Sequence, residues 1–338
     1  MAKDRVDSRS GAAAPLVTVL GASGFIGAAV TAALVAEGTR VRAVSRRPAP
    51  LPAHHADLVE TRTADLTGAG SLAGAVDGSD AVVNLCLCDG GWRAAKSAVG
   101  ERVNVGVMRD LLTWAAHQPR GAGGPPVVVQ AGAVSQIGVP PEGRRIDGTE
   151  PDEPVGVYAR QKLVAEQALK AATRDGVVRG VALRLSTVFG DSHPRVADRG
   201  VVATMIRRAL AGESLTMWHD GTVARDLVYV HDVAAAVTAA LRHADALGGR
   251  HWLVGAGESL PLREVFTAVA GTVARYTGKP AVPVVGVDAP ADAPLTDFRD
   301  NLLDVSAFRA ATGWRPRVPF HQALENTVAA LAGQESRP

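Results

Sequence analysis

Residues 16–27 constrain this chain more than any other stretch. They read Leu-Val-Thr-Val-Leu-Gly-Ala-Ser-Gly-Phe-Ile-Gly. Leu16–Leu20 is a short apolar run of the kind that forms a strand covered on both faces. Gly21, Gly24 and Gly27 recur every third residue, and helical spacing runs from Phe25 to Glu37. At a strand-to-helix junction glycine permits a sharp turn, lets the backbone approach a pyrophosphate, and lets helix pack close to sheet. The helix N-terminus then offers unpaired N–H groups and a positive dipole end to an anion. Three glycines alone would also suit a bare tight turn. The strand-loop-helix context is what points to a dinucleotide.

Strand patterns recur at 40–45, 81–87, 127–129 and 181–185, with helical patterns at 103–116 and 157–174. This alternation predicts an α/β fold with a doubly wound parallel sheet. After about residue 190 the pattern loosens, and proline and glycine thicken over 278–294. The expected organisation is a disordered tail at 1–14 and a dinucleotide-binding domain at 15–190, to which 226–256 returns. A smaller, interleaved substrate domain comprises 191–225 and 257–331. No clean linker separates the two halves.

Composition removes several classes. The 338 residues are 47% hydrophobic and 21% charged, which fits a globular chain. The charge balance is 36 − 34 = +2, which gives no polyelectrolyte drive toward nucleic acid. No apolar run approaches the ~20 residues of a membrane span. The first fourteen residues lack the apolar block of a signal peptide. Cys86 and Cys88 form neither a disulfide framework nor a zinc ligand set, so no metal site is expected. The expectation is a cytoplasmic, reducing compartment. Lysine occurs at only five positions, so arginine carries nearly all positive charge.

The second strand bears on cofactor choice. An acidic residue about 20 positions past the glycine loop would bind a ribose 2′-hydroxyl. Here the strand ends in Ser45-Arg46-Arg47, with no carboxylate. Two guanidiniums and a hydroxyl suit a 2′-phosphate. NADPH is therefore expected over NADH. Asp65, after the third strand, could accept from the adenine amino group or cap a helix.

Tyr158 and Lys162 stand at i and i+4 in a predicted helix and share a face. A free phenol has a pKa near ~10 and shuttles protons poorly at neutral pH. A neighbouring ammonium favours the phenolate. Such a phenol can protonate a carbonyl oxygen while hydride reaches its carbon.

Together these motifs resemble the extended short-chain dehydrogenase/reductases. The resemblance runs from about residue 16 to 331. It covers the glycine loop, Asp65-Leu66, Asn104, Tyr158-x-x-x-Lys162, Arg184-Leu-Ser-Thr-Val-Phe-Gly190 and Arg225-Asp-Leu-Val-Tyr-Val-His-Asp232. Residues 199–213, 215–221 and 312–318 are similar to the dTDP-4-keto-6-deoxyhexose 4-ketoreductases of antibiotic deoxysugar biosynthesis. The resemblance implies a Rossmann fold and NADPH-dependent reduction of a nucleotide-bound 4-keto sugar. Ser23, Phe25, Ile26, Leu66, Leu85, Ser186 and Val188 join the expected cofactor contacts, beside Tyr158 and Lys162. Asn104, Arg207 and Arg225 are expected near the substrate. In this family helices like 103–116 and 157–174 form a four-helix dimer contact.

The chain departs from the family at one position. The family places a Ser or Thr about 25 residues before the Tyr, where this sequence has Ala133. A methyl cannot donate to a carbonyl oxygen, and losing such a donor can cost a few kcal/mol. Ser135, two residues on, would face the same side if the segment stays extended. Otherwise a water or a substrate hydroxyl substitutes, or the chain binds without turnover. Val134 and Ser135 follow where the family's 4,6-dehydratases carry carboxylates, which argues against dehydration. A C4 epimerase remains the alternative, and Arg46-Arg47 weighs against its tightly held NAD.

Overall fold

The computed structural model describes residues 15–49, 56–119, 124–139, 142–191, 198, 200–218, 220–289 and 295–335. The expected tail at 1–14 lies outside them. The strands in chain order are β1 (Leu16–Leu20), β2 (Arg40–Ser45), β3 (Val59–Thr63), β4 (Ala81–Asn84), β5 (Val127–Ala133), β6 (Arg179–Leu185), β7 (Thr187–Phe189), β8 (Leu215–Trp218), β9 (Ala224–Tyr229), β10 (His251–Val254), β11 (Ser259–Pro261) and β12 (Val284–Val287). The helices are α1 (Phe25–Ala36), α2 (Ser71–Val76), α3 (Ala98–Glu101), α4 (Val107–Ala116), α5 (Val157–Arg174), α6 (Val201–Leu210), α7 (Val230–Arg242), α8 (Ala244–Leu247), α9 (Leu262–Thr277), α10 (Ser306–Thr312) and α11 (Phe320–Glu335).

Seven parallel strands form the main sheet in the order β10-β6-β5-β4-β1-β2-β3. The chain winds outward from β1 in one direction, then restarts at β4 in the other. This is a Rossmann-like doubly wound α/β fold, and its switch point lies between β1 and β4. Helices α1 and α7 pack on one face. Helices α2, α4 and α5 cover the other. Both layers explain why β1 and β4 are buried at every residue. Fully burying each central valine contributes about 1.5–3 kcal/mol before the entropy of ordering is charged. The edge strand β3, with glutamate and arginine on it, is largely exposed.

Several boundaries differ from the sequence reading. Strand β4 stops at Asn84 rather than 87. The Asn84 side chain accepts from the Cys86 N–H and donates to Gln130 Oε1, which turns the chain out of the ladder. Strand β5 runs four residues further than expected, to Ala133, because β6 pairs with it throughout. The helix read at 103–116 begins at Ala98 and runs through a π-type turn at Arg102–Gly106. Leu215–Trp218, for which the sequence reading assigned no strand, pairs with β12.

Strands β7, β8 and β9 lie outside the main sheet, and β10 returns to it beside β6. Strands β7, β9 and β11 form a three-stranded sheet, and β8 and β12 a two-stranded one. Asp226, fully buried on β9, accepts from the Ala256 and Gly257 N–H groups just past β10. That carboxylate joins the small sheet to the rim of the large one. No helix among the described residues is long and apolar enough to cross a membrane.

Candidate active site

The glycine loop lies at the carboxyl end of β1, beside the switch point. Gly21 has φ +83°, and a Cβ there would stand 2.9 Å from the Leu85 carbonyl oxygen. A Cβ on Gly27 would fall 2.1 Å from the Gly21 oxygen. Neither position tolerates a side chain. Gly24 caps α1, with no side-chain cap and no acidic residue in the first turn. The first N–H groups of a twelve-residue helix are thus left to an outside acceptor. These observations fit a pyrophosphate.

A cavity of about 1370 Å³ opens over this loop. It runs past the ends of β2 and β4, reaches Tyr158 and Thr187, and continues to Trp218 on β8, Arg225 on β9 and Phe298. Ser23, Phe25, Ile26, Ser45, Arg46, Arg47, Asp65, Leu66 and Leu85 line it together with the three glycines. Ser45 Oγ donates to the Arg47 carbonyl at 2.6 Å and shapes the arginine turn. Asp65 accepts from Thr67 N–H and Oγ1, which hold its carboxyl below the usual range. It closes a turn and also stands on the cavity wall.

Tyr158 is half-buried on the cavity wall, in the first turn of α5. Lys162 is buried one turn on, its Nζ 5.8 Å from the Tyr158 ring centroid. That Nζ donates to the Ala131 carbonyl at 3.1 Å, which ties α5 to the end of β5. Burial pushes the Tyr158 phenol up to about 12. Burial also pulls Lys162 down to about 8, with Cys86 acting weakly the other way. The expected acidification of Tyr158 by Lys162 is therefore absent from the protein alone. Both groups sit where burial favours the neutral form.

Further along the same helix, burial works against the Glu166 carboxylate. Hydrogen bonds from His251, Arg184 and Lys170, and the guanidinium charge, overcome that and hold its carboxyl far below the usual range. Arg184 Nε and Nη2 meet Glu166 at 2.9 and 2.8 Å, and Lys170 Nζ meets it at 2.6 Å. Gln136 Nε2 donates to Glu166 at 2.7 Å, while its Oε1 accepts from the Ala133 N–H.

That Gln136 bridge decides the fate of Ser135. The chain leaves β5 at Ala133 and coils at once into a 3₁₀ turn, Val134–Ile137. The extended-chain premise fails there. Ser135 is exposed and does not line the cavity. Ser186 is also off the wall: its hydroxyl donates to the Asp226 carbonyl, and Val188 packs into the core, so Thr187 is the cavity residue of that segment. Asn104 is buried in the π turn and donates to Gln161, with its Oδ1 unpartnered. Its neighbours Val103 and Val107 reach the cavity.

Two expected substrate arginines are engaged within the fold. Arg207 donates to the Asp198 carbonyl at 2.7 Å and does not line the cavity. Arg225 does line it, but its guanidinium donates to the Thr296, Asp297 and Arg299 carbonyls. It secures the 296–299 segment against the pocket. Sequence reasoning missed Asp89, Arg93, Asp198, Thr204 and Asp297 on the wall. They come from segments distant in the chain, Thr204 from α6 and the others from turns and loops, and no local pattern marks them.

The fold and this glycine-loop site define a dinucleotide-dependent enzyme of the extended short-chain type. The chain belongs to the NAD dependent epimerase/dehydratase family, whose profile matches residues 17–255. It is 30% identical over 317 residues to a dTDP-6-deoxy-L-talose 4-dehydrogenase (NAD(P)(+)) of Kitasatospora kifunensis, covering 91% of this chain and 93% of that one. It is also 30% identical over 327 residues to a UDP-glucose 4-epimerase of Mycolicibacterium smegmatis, covering 92% and 96%. Among solved structures it resembles MoeE5 in complex with UDP-glucose and NAD. The TM-score is 0.77 at 25% identity, over 95% of this chain and 99% of that one.

Proposed function

We propose that this chain reduces the C4 ketone of a dTDP-linked 4-keto-6-deoxyhexose, with NADPH preferred as hydride source. The observation that carries this is one continuous cavity. It joins the glycine loop and the Arg46-Arg47 turn to Tyr158 and then to Trp218, Arg225 and Phe298. The relative named as a dTDP-6-deoxy-L-talose 4-dehydrogenase, similar over nearly its whole length, supports the sugar class.

When bound, the nicotinamide dinucleotide supplies the hydride. Gly21, Gly24 and Gly27 hold its pyrophosphate, and Ser45, Arg46 and Arg47 receive its adenosine ribose. Tyr158 gives its proton to the C4 oxygen as the carbon is reduced, and solvent returns that proton afterwards. Lys162 keeps an ammonium beside the phenol at neutral pH and stabilises the phenolate that forms. A water or a hydroxyl of the sugar takes the place of the Ser/Thr donor that Ala133 lacks. Residues 191–225 and 257–331 bind the nucleotide sugar. The outer faces of the helices at 103–116 and 157–174, where Val164 is exposed, meet those of a second copy.

The UDP-glucose 4-epimerase relative, at equal identity, favours a C4 epimerase as the second reading. One assay separates the two. A ketoreductase consumes NADPH stoichiometrically with a dTDP-4-keto-6-deoxyhexose and stalls in Tyr158→Phe. An epimerase interconverts C4 hydroxyls with no net change in added cofactor. Turnover of neither substrate by the folded chain overturns both readings. A monomer by light scattering at micromolar concentration overturns the dimer.

A further inference from the structure

The adenosine end of the cavity carries a carboxylate that β2 does not provide. Asp89 lies in the loop after β4, before Gly90 and Gly91 at φ +88° and +63°. Its Oδ2 lies 2.8 Å from Arg46 Nη2, and its Oδ1 lies 3.8 Å from Arg47 Nη2. All three residues line the cavity beside Ser45 and Pro48. The pair of guanidiniums expected to await a 2′-phosphate is thus already matched by an internal anion.

The chemistry of the two dinucleotides differs at this point. A ribose 2′-hydroxyl wants an acceptor near the end of β2, and a carboxylate usually supplies it. Here β2 ends without one, and Asp89, oriented by Arg46, presents an acceptor from a different loop. A 2′-phosphate instead wants guanidiniums, so Arg46 must leave Asp89 to meet it. The exchange is feasible because the pair is weakly held. Arg46 and Asp89 are 46% and 64% exposed, and ion pairs so exposed contribute little.

We propose that Asp89 sets the cofactor preference of this chain. The Arg46–Asp89 pair stays closed beside a 2′-hydroxyl and opens toward a 2′-phosphate, so both dinucleotides bind. Asp89 moderates the advantage of the phosphorylated one by competing for Arg46 and repelling the phosphate. This rests on the dinucleotide part of the proposed function and not on the chemistry at Tyr158.

The test is equilibrium binding, without turnover. NADP⁺ and NAD⁺ are titrated against the full chain by calorimetry, in wild type, Asp89→Asn and Asp89→Glu. Wild type binds both. Removing the carboxylate tightens NADP⁺ by about five-fold, the scale of one exposed ion pair, and weakens NAD⁺. Asp89→Glu returns both affinities toward wild type, and added salt shrinks the NADP⁺ gain. An unchanged ratio of the two Kd values in Asp89→Asn overturns the assignment while leaving the dinucleotide site intact. Failure of every variant to bind either dinucleotide overturns the assignment and the proposed function together.

Discussion

Two stretches of the same helix treat their charges in opposite ways. Tyr158, Lys162, Glu166 and Lys170 follow one another at four-residue intervals along α5, a slowly turning stripe on one side of the helix. At its start, Lys162 has one carbonyl partner and drops to about 8, and Tyr158 rises to about 12. One turn later, Glu166 is at least as buried but gathers Arg184, Lys170, His251 and Gln136, and its carboxylate is strongly favoured. Burial alone does not decide ionisation. The supply of partners does. The first half of the stripe leaves its groups biased toward neutrality; the second locks α5 to β5 and β6.

The largest effect that would sharpen this contrast is on stability. Arg184→Met leaves the Glu166 carboxylate buried with fewer partners and is expected to cost about 3–5 kcal/mol in urea unfolding. An unchanged midpoint would mean the cluster is not the lock. At the other end, Tyr158→Phe is expected to lower the rate of ketone reduction roughly 100- to 10,000-fold while the unfolding midpoint stays put. A variant with full activity would break the contrast outright.

Lys162 gives a subtler measurement with a defined sign. Its folded pKa lies below that of a free lysine, near ~10.4. The unfolded chain therefore binds more protons between those two values, and stability rises with pH across that window. Lys162→Met removes the buried amine, so it is expected to gain stability at neutral pH. That gain is full below about 8 and fades above it. Reduction by wild type should decline as pH rises through about 8, where the ammonium is lost. A flat profile there would remove Lys162 from proton handling. The smallest expected effect is that of Ser135→Ala, which should keep wild-type kcat because Ser135 faces solvent. A marked loss would bring the hydroxyl back into the site.

Much of this was legible before any coordinates. The glycine spacing and the apolar strands carry their own local physics, so β1, α1 and their loop follow from neighbours in the chain. The Tyr158 and Lys162 pair is legible for the same reason, since a helix relates i to i+4. Strand ends were less legible. Whether β4 stops at 84 or 87 depends on Asn84 meeting Gln130 from another strand. Ser135 illustrates the same limit: its orientation was inferred from period-two alternation, and Gln136, anchored by Glu166, coils the backbone instead.

The sequence by itself determined the doubly wound sheet, the phosphate loop and the placement of a phenol one helical turn from an amine. The loop and the phenol–amine pair depend on residues within a few positions of one another, where backbone geometry leaves few choices, and the sheet on strand and helix patterns that alternate along the chain. Only the tertiary structure decided that Arg46 faces Asp89, that Arg225 is spent on the 296–299 carbonyls, and that Tyr158 and Lys162 are each biased toward neutrality. Charge and solvation act through space. Their sum at any atom is set by which distant loops fold against it.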